Sequence, residues 1–339
     1  MASYRQGGLE PNLGVVKVPD PRIDAMAKIY NPKRVVYAEI KYVDIAGSPQ
    51  GLGKGEGFSG PFLNYLGGVD AIIHVVRAFR DESVPHEGSI DPSRDISTMN
   101  LEMSFSDALI LERRIERLGV TMKAANAQER ENVLVEQAWL KEAKELLEKD
   151  VPLRQQSLTV EQKRILNNFP LLTAKPLIIL VNIDENDIPR AEEIESILAA
   201  EFKAPYCDVL ALCGKVEMDL AQMEEEEAEE FRRELGISEE SALDRFIRKS
   251  YELLGLISFL TVGPDEVRAW TIPTGTLAPQ AAGKVHSDIE RGFIRAEVVP
   301  YDELVKGGMV EAKRRGVVRL EGKVYEVLDG DVVNFLFNV

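Results

Sequence analysis

Apolar strands that alternate with helices, a long block of helical periodicity between two such stretches, and a strand-rich tail together predict an α/β chain. In that reading a parallel sheet carries an inserted helical hairpin. A small β-grasp domain, short strands crossed by one helix, closes the chain. With 339 residues there is room for two or three domains, each with a core of its own.

The elements follow in chain order. Residues 1–12 carry no periodic pattern, and 14–19 form the first credible strand. Residues 24–29 make a short helix that Asn31 and Pro32 close. Residues 35–47 read as one buried strand ending in Asp44-Ile45-Ala46-Gly47. A glycine-rich loop over 51–60 and a helix over 61–66 lead to the strand 71–76, which is apolar on both faces as a central parallel strand should be. Between 96 and 168 the period becomes helical: Leu101, Phe105, Ala108, Leu111, Ile115 and Leu118, then Val133, Leu140, Ala143 and Leu147. Two antiparallel helices turning near Gly119 fit this pattern. The α/β alternation resumes with a strand over 177–181, a helix over 191–201 and a strand over 209–212. The acidic run 224–230 suits a solvated helix. Beyond 254 come a hairpin of 259–262 with 267–272, a helix over 278–285, a strand at 295–299, strand structure over 317–327 turning at Glu321-Gly322-Lys323, and a strand at 331–337.

Composition narrows the function classes. The formal net charge of -16 excludes a generally nucleic-acid-coating surface and argues against DNA as a partner. No apolar run reaches membrane-spanning length, and the N-terminus lacks a secretion signal, so no membrane partner is expected. The two cysteines, Cys207 and Cys213, fit reduced thiols in the cytosol better than a disulfide framework.

Three strand ends carry chemistry. Asp44 to Gly47 has the form DxxG, with which P-loop nucleotidases sense a γ-phosphate and its magnesium, so Asp44 is a candidate for indirect Mg²⁺ contact and Gly47 for the accompanying switch. Asn182 to Glu185 stands at the end of the 177–181 strand, where a GTPase places its base-reading NKxD. With Glu185 in place of aspartate and Ile183 in place of lysine, the fit to guanine weakens. Cys213, Gly214 and Lys215 follow the next strand and suit a loop whose backbone N–H groups face the base. A Gly-x-x-x-x-Gly-Lys-Ser/Thr run, which would cradle phosphates and hold Mg²⁺, occurs nowhere in the sequence. Its nearest approach is Ser48-Pro49-Gln50-Gly51-Leu52-Gly53-Lys54-Gly55, with serine at the first glycine and glycine at the hydroxyl position.

In order and spacing these pieces resemble the YchF/Obg-like ATPase family over nearly the whole chain. The resemblance is carried by Glu10 to Val16, Val18 to Arg22, Val43 to Gly47, Gly51 to Gly57, His74 to Arg77, Asn182 with Glu185, Val267 to Trp270 and, most distinctively, Ala278 to Glu297. It implies an Obg-type P-loop NTPase domain (G domain) over 1–95 and 170–253, a coiled-coil insertion over 96–169, and a TGS domain over 254–339. It further implies ATP with Mg²⁺ as the ligands of the complete family protein, preference for adenine nucleotide through Asn182 and Glu185, and association with the ribosome.

Departures from the family pattern bear on activity. The family's strand, phosphate-binding loop and helix are missing, Gly8 stands where its Mg²⁺-binding threonine would, Ser48 where leucine usually follows the DxxG glycine, and Gly214 where alanine is usual. Without the Walker-A lysine and hydroxyl, phosphoryl transfer loses positioning and charge stabilisation, so negligible ATP hydrolysis is expected of the chain as written. In this fold class the missing strand lies between the DxxG strand and that of His74. The two edges then close on each other, residues 1–12 fill the gap, or the natural gene product is longer. A non-hydrolysing ribosome, RNA or protein scaffold and a GTP-binding protein are the alternative functions. His74 reads as a core histidine and His286 as a cap. Arg291, Arg295, Lys313, Arg314 and Arg315 form a basic cluster that either meets rRNA phosphate or is solvated.

Overall fold

The computed structural model describes residues 11–45, 58, 60–84, 88–124, 126–236 and 241–338. They fall into two compact units: 12–44 together with 244 onward, and 45–243.

The first unit begins with strand β1 (Asn12–Lys17), helix α1 (Pro21–Tyr30) and strands β2 (Arg34–Val36) and β3 (Glu39–Asp44). Asp20 caps α1 by accepting from Arg22 N, Pro21 supplies a helical φ, and Asn31 ends it in the left-handed region at φ 44°. The single buried strand expected over 35–47 is corrected here: it is two strands with different partners. β3 pairs antiparallel with β1, Asn12 against Asp44 and Lys17 against Glu39. Nor is it buried throughout, for Ile40 is covered while Asp44 is exposed and Leu13 and Val15 on β1 are 61% and 62% exposed. A two-stranded ribbon covers little of its own surface, which accounts for those exposed side chains.

The second unit holds α2 (Gly60–Gly67), β4 (Ile72–Ala78), α3 (Pro92–Thr121), α4 (Ala127–Leu147), α5 (Val160–Leu166), β5 (Leu177–Ile183), α6 (Ala191–Phe202), β6 (Cys207–Leu212), α7 (Gly214–Leu220) and α8 (Glu225–Glu234). Its sheet is parallel, in the order β4-β5-β6. β5 is central, and every residue of it but Asn182 is buried. β4 was the expected central strand; among the described residues it is an edge, and Val75 is 60% exposed. Helices packed on this sheet bury Ile72, Val76, Ile179, Val181, Leu198, Val209 and Val216 together. Glu195 on α6 accepts from Ala211 N at 2.8 Å, satisfying an outward amide of β6.

The inserted helices form the expected antiparallel pair, turning just past Gly119, between Thr121 and Ala127. Asn126 and Glu129 make a capping box that starts α4. Leu111, Leu118, Leu140, Ala143 and Leu147 fill the seam, with Arg114 against Glu136 beside it. At its base Asp107 of α3, fully buried, accepts from Leu172 N, Thr173 N and Thr173 Oγ1 at 2.9, 2.7 and 2.6 Å. That carboxylate ties the hairpin to the segment entering β5.

After α9 (Ala242–Leu253) the first unit resumes with β7 (Leu256–Val262), β8 (Glu266–Pro273), α10 (Ala278–Val285), α11 (Ser287–Arg291), β9 (Phe293–Pro300), α12 (Tyr301–Leu304), α13 (Gly308–Arg315), β10 (Arg319–Glu321) and β11 (Asp331–Phe337). The sheet order is β10-β9-β11-β7-β8-β2, with β7 and β11 parallel at the centre and β7 and β8 as the expected hairpin. α10 packs Ala278, Ala281 and Ala282 onto Phe259, Phe293, Val298 and Phe335, the β-grasp core. The stretch 317–327 turns after Glu321 as expected, with Tyr325 N donating to the Gly322 carbonyl, but only β10 is strand; Asp331 accepts from Tyr325 Oη and Leu328 N and holds the remainder as a loop.

Candidate nucleotide-base site

The three parallel strands of the second unit end on the same side of the sheet, the side where open α/β sheets hold ligands. Asn182 is opposite Leu212 in the register of β5 and β6, which brings its amide to the start of α7. Asn182 Oδ1 accepts from Gly214 N at 2.9 Å. A Cβ at Gly214 would sit 3.3 Å from that Oδ1 and 3.4 Å from Nδ2, so glycine permits the close approach. Cys213, buried, occupies the N-cap position of α7 and its carbonyl accepts from Glu217 N at 3.0 Å. Asp184 caps the turn after β5 by accepting from Asn186 N, and the next residue, Glu185, meets Lys215 with Oε2 3.7 Å from Nζ. Asn182, Glu185, Cys213, Gly214 and Lys215, scattered over 34 positions of sequence, therefore converge.

Sequence reasoning left out the third wall. Arg77, opposite Asn182 in the β4–β5 register, donates to the carbonyls of Phe79, Asp81 and Val84 at 3.0, 2.8 and 2.8 Å and lies over the Phe79 ring. It fixes the turn after β4. Hydrogen bonds from the Ser83 hydroxyl and amide hold the Asp81 carboxyl below the usual range, with Arg77 and Lys215 adding attraction. An arginine at the end of an otherwise apolar strand was the available signal.

The other candidates are placed elsewhere. Asp44 ends β3 in the first unit and is exposed, while Gly47, with Gly8, Ser48 and Lys54, lies outside the described residues. Among the described residues no group of three His, Cys, Asp or Glu side chains could hold a metal ion. These residues do not by themselves fit Mg²⁺, and no chemical step is assigned to it. His74 is too deep in β4 to reach the strand ends, and burial lowers its pKa to about 4. His286 Nδ1 accepts from Asp288 N at 3.1 Å and caps α11. In the basic cluster Arg291, Lys313, Arg314 and Arg315 are each paired, with Asp288, Glu297, Glu311 and Glu303, which leaves less charge for phosphate than their number suggests. A cleft of about 430 Å³ in the first unit is lined by Arg22, Arg319, Asp329 and Asp331, whose charges already face one another.

Comparison with known proteins adds to this geometry. The chain is 42% identical over 342 residues to the ribosome-binding ATPase YchF of Bacillus subtilis, covering 100% of this chain and 92% of that one. This chain belongs to the YchF family. Its YchF relative in Mycoplasma genitalium is 36% identical over 346 residues, again with 100% and 92% covered. The C-terminal family YchF-GTPase_C, described as "Protein of unknown function (DUF933)", matches residues 256–338. The solved YchF GTPase of Schizosaccharomyces pombe aligns over 99% of this chain and 90% of its own, with 34% identity and a TM-score of 0.85. A GTP-binding protein from Pyrococcus horikoshii shares the fold at a TM-score of 0.59 and 18% identity. The YchF fold, an Obg-like P-loop NTPase architecture, is thus the fold of this chain. No helix among its described residues is long and apolar enough to cross a membrane.

Proposed function

We propose that this YchF-family chain recognises adenine nucleotide at the ends of β5 and β6 and acts at the ribosome. The observation that carries the base assignment is the convergence of Asn182, Glu185 and Lys215 around Gly214. Asn182 spends Oδ1 on the Gly214 amide, which fixes its orientation and leaves the Nδ2 hydrogens to donate to a purine ring nitrogen. The Glu185 carboxylate can accept from the exocyclic amino group of adenine. Guanine presents an oxygen at that position, and a carboxylate opposed to it is disfavoured. GTP is therefore the weaker ligand in this reading.

Ribosome association is supported by the relatives, which are ribosome-binding ATPases. Pairing of Arg291, Lys313, Arg314 and Arg315 with carboxylates weighs against rRNA phosphate as the surface they touch.

Titration of the chain with ATP and GTP, followed by ligand-observed saturation-transfer NMR, tests the base assignment. Stronger binding of ATP, lost on Asn182→Ala, is the expected result; preference for GTP would overturn it. Co-sedimentation with ribosomes through sucrose tests the second part, and absence from the ribosomal fractions would remove it.

A further inference from the structure

The cleft of about 430 Å³ in the first unit opens between the start of α12 and the turn that leads into β11. Tyr301 N donates to the Gly330 carbonyl at 3.1 Å and holds those two walls together. The charges in the cleft do not balance. Arg22 is shared by Asp20 and Asp329, and Arg319 by Glu321 and Asp331, so each guanidinium faces two carboxylates. Asp302, exposed in the lining, has no hydrogen bond or ion pair among the described residues. Asp331 is the sharper sign. Its side chain is 4% exposed, and Oδ2 accepts from Tyr325 Oη at 2.7 Å and from Leu328 N at 2.9 Å. Oδ1 accepts no hydrogen bond among the described residues, and the Arg319 guanidinium stops 3.6 Å from it. A buried carboxylate oxygen without a donor calls for one.

We infer that this cleft docks an arginine side chain borne by a basic segment of a ribosomal protein, with Asp302 and the free Oδ1 of Asp331 as its acceptors. The choice of partner rests on the ribosome association proposed above; the cation pocket does not. Excess carboxylate repels phosphate, which disfavours RNA as the occupant. A bare metal ion is also disfavoured, since no group of three His, Cys, Asp or Glu among the described residues could hold one. Tyr301, Val317 and Leu328 line the same cleft and give the stem of a long basic side chain apolar surface to lie along. The guanidinium at its end carries several N–H donors in a fixed fork, which suits carboxylate acceptors better than a single ammonium does.

The test uses the full chain, wild type and Asp302→Lys, after melting curves confirm that both fold. Backbone-amide NMR follows titration with an arginine–glycine peptide, its glutamine–glycine counterpart and a uridine oligonucleotide. The arginine peptide is expected to shift the amides of 301–303 and 328–331, which line the cleft, and the glutamine peptide to shift none. Asp302→Lys is expected to weaken the arginine peptide about tenfold, the scale of one charged hydrogen bond. Shifts by neither peptide, equal shifts by both, or stronger shifts by the oligonucleotide would overturn the inference. Ribosome co-sedimentation of Asp302→Lys is expected to fall by a similar factor while ATP titrates as in wild type. Arginine-peptide binding with unaltered co-sedimentation would overturn the ribosomal protein as partner. If wild type itself does not co-sediment, the ribosome reading falls with that partner, and the peptide titration alone decides the cation pocket.

Discussion

The Gly214 amide donates to Asn182 Oδ1 across 2.9 Å, joining the C-terminal end of β5 to the first turn of α7. Asn182→Ala leaves that amide without its partner and is expected to cost about 1 kcal/mol of stability. Gly214→Ala acts differently. A methyl 3.3 Å from Oδ1 moves the side-chain amide by only a few tenths of an ångström, and alanine is the family's usual residue here, so nucleotide affinity and melting temperature should both change little. Paired melting and titration curves distinguish the two.

Asp107 predicts a pH effect in the helical insertion. Burial of the carboxyl outweighs the hydrogen bonds from Thr173 and Leu172 and raises its pKa from 3.8 to about 6. Because the folded pKa is the higher one, this group's contribution to stability is complete below pH 3.8 and is lost as pH rises through 6. Asp107→Asn should abolish that slope, which is worth up to roughly 3 kcal/mol. Asp107→Ala orphans three donors and is expected to destabilise by about 3 kcal/mol, measured by urea denaturation.

His74 titrates with the opposite sign. Burial in β4 lowers its pKa from 6.5 to about 4, against a small opposing pull from Asp95. Its contribution is present above pH 6.5 and is lost as pH falls through 4. Between pH 4 and 6 the two groups offset each other, so wild-type stability should be flatter there than that of either single variant. Urea midpoints of His74→Leu and Asp107→Asn across that window check this.

Val75 is 60% exposed on β4, which is an edge of its sheet among the described residues. Exposed apolar edge strands template association, and a lysine blunts them. Val75→Lys is expected to leave stability within about 0.5 kcal/mol and to reduce light scattering on heating.

Cys207 and Cys213 are both buried and stand at opposite ends of β6. The rise of an extended strand separates them by about 20 Å, far beyond the reach of a disulfide. Burial also pushes the Cys207 thiol pKa up. Both thiols should resist a thiol-reactive dye until the chain unfolds, and oxidant should produce no intramolecular bond.

The sequence by itself determined the α/β class, the helical insertion, the β-grasp tail and the two strand-end segments that the structure brings together. Apolar runs, helical periodicity and the Asn182 to Glu185 and Cys213 to Lys215 strand ends are local signals that survive any arrangement of neighbours. Tertiary structure decided what pairing and burial control. Val35 and Ile40 read as one strand, yet the first pairs with β8 and the second with β1, because hydrogen bonding between distant segments outranks continuity of an apolar run. Among the described residues His74 lies on an edge strand and not in the centre, which strand pairing and not the apolar run decides. A lone arginine at the end of an apolar strand marked Arg77, but its partners are backbone carbonyls of a turn, and carbonyls carry no sequence signature. Whether Lys215 faces water or Glu185 was likewise settled only when β5 and β6 came side by side, since an ion pair across 30 positions depends on geometry that composition does not encode.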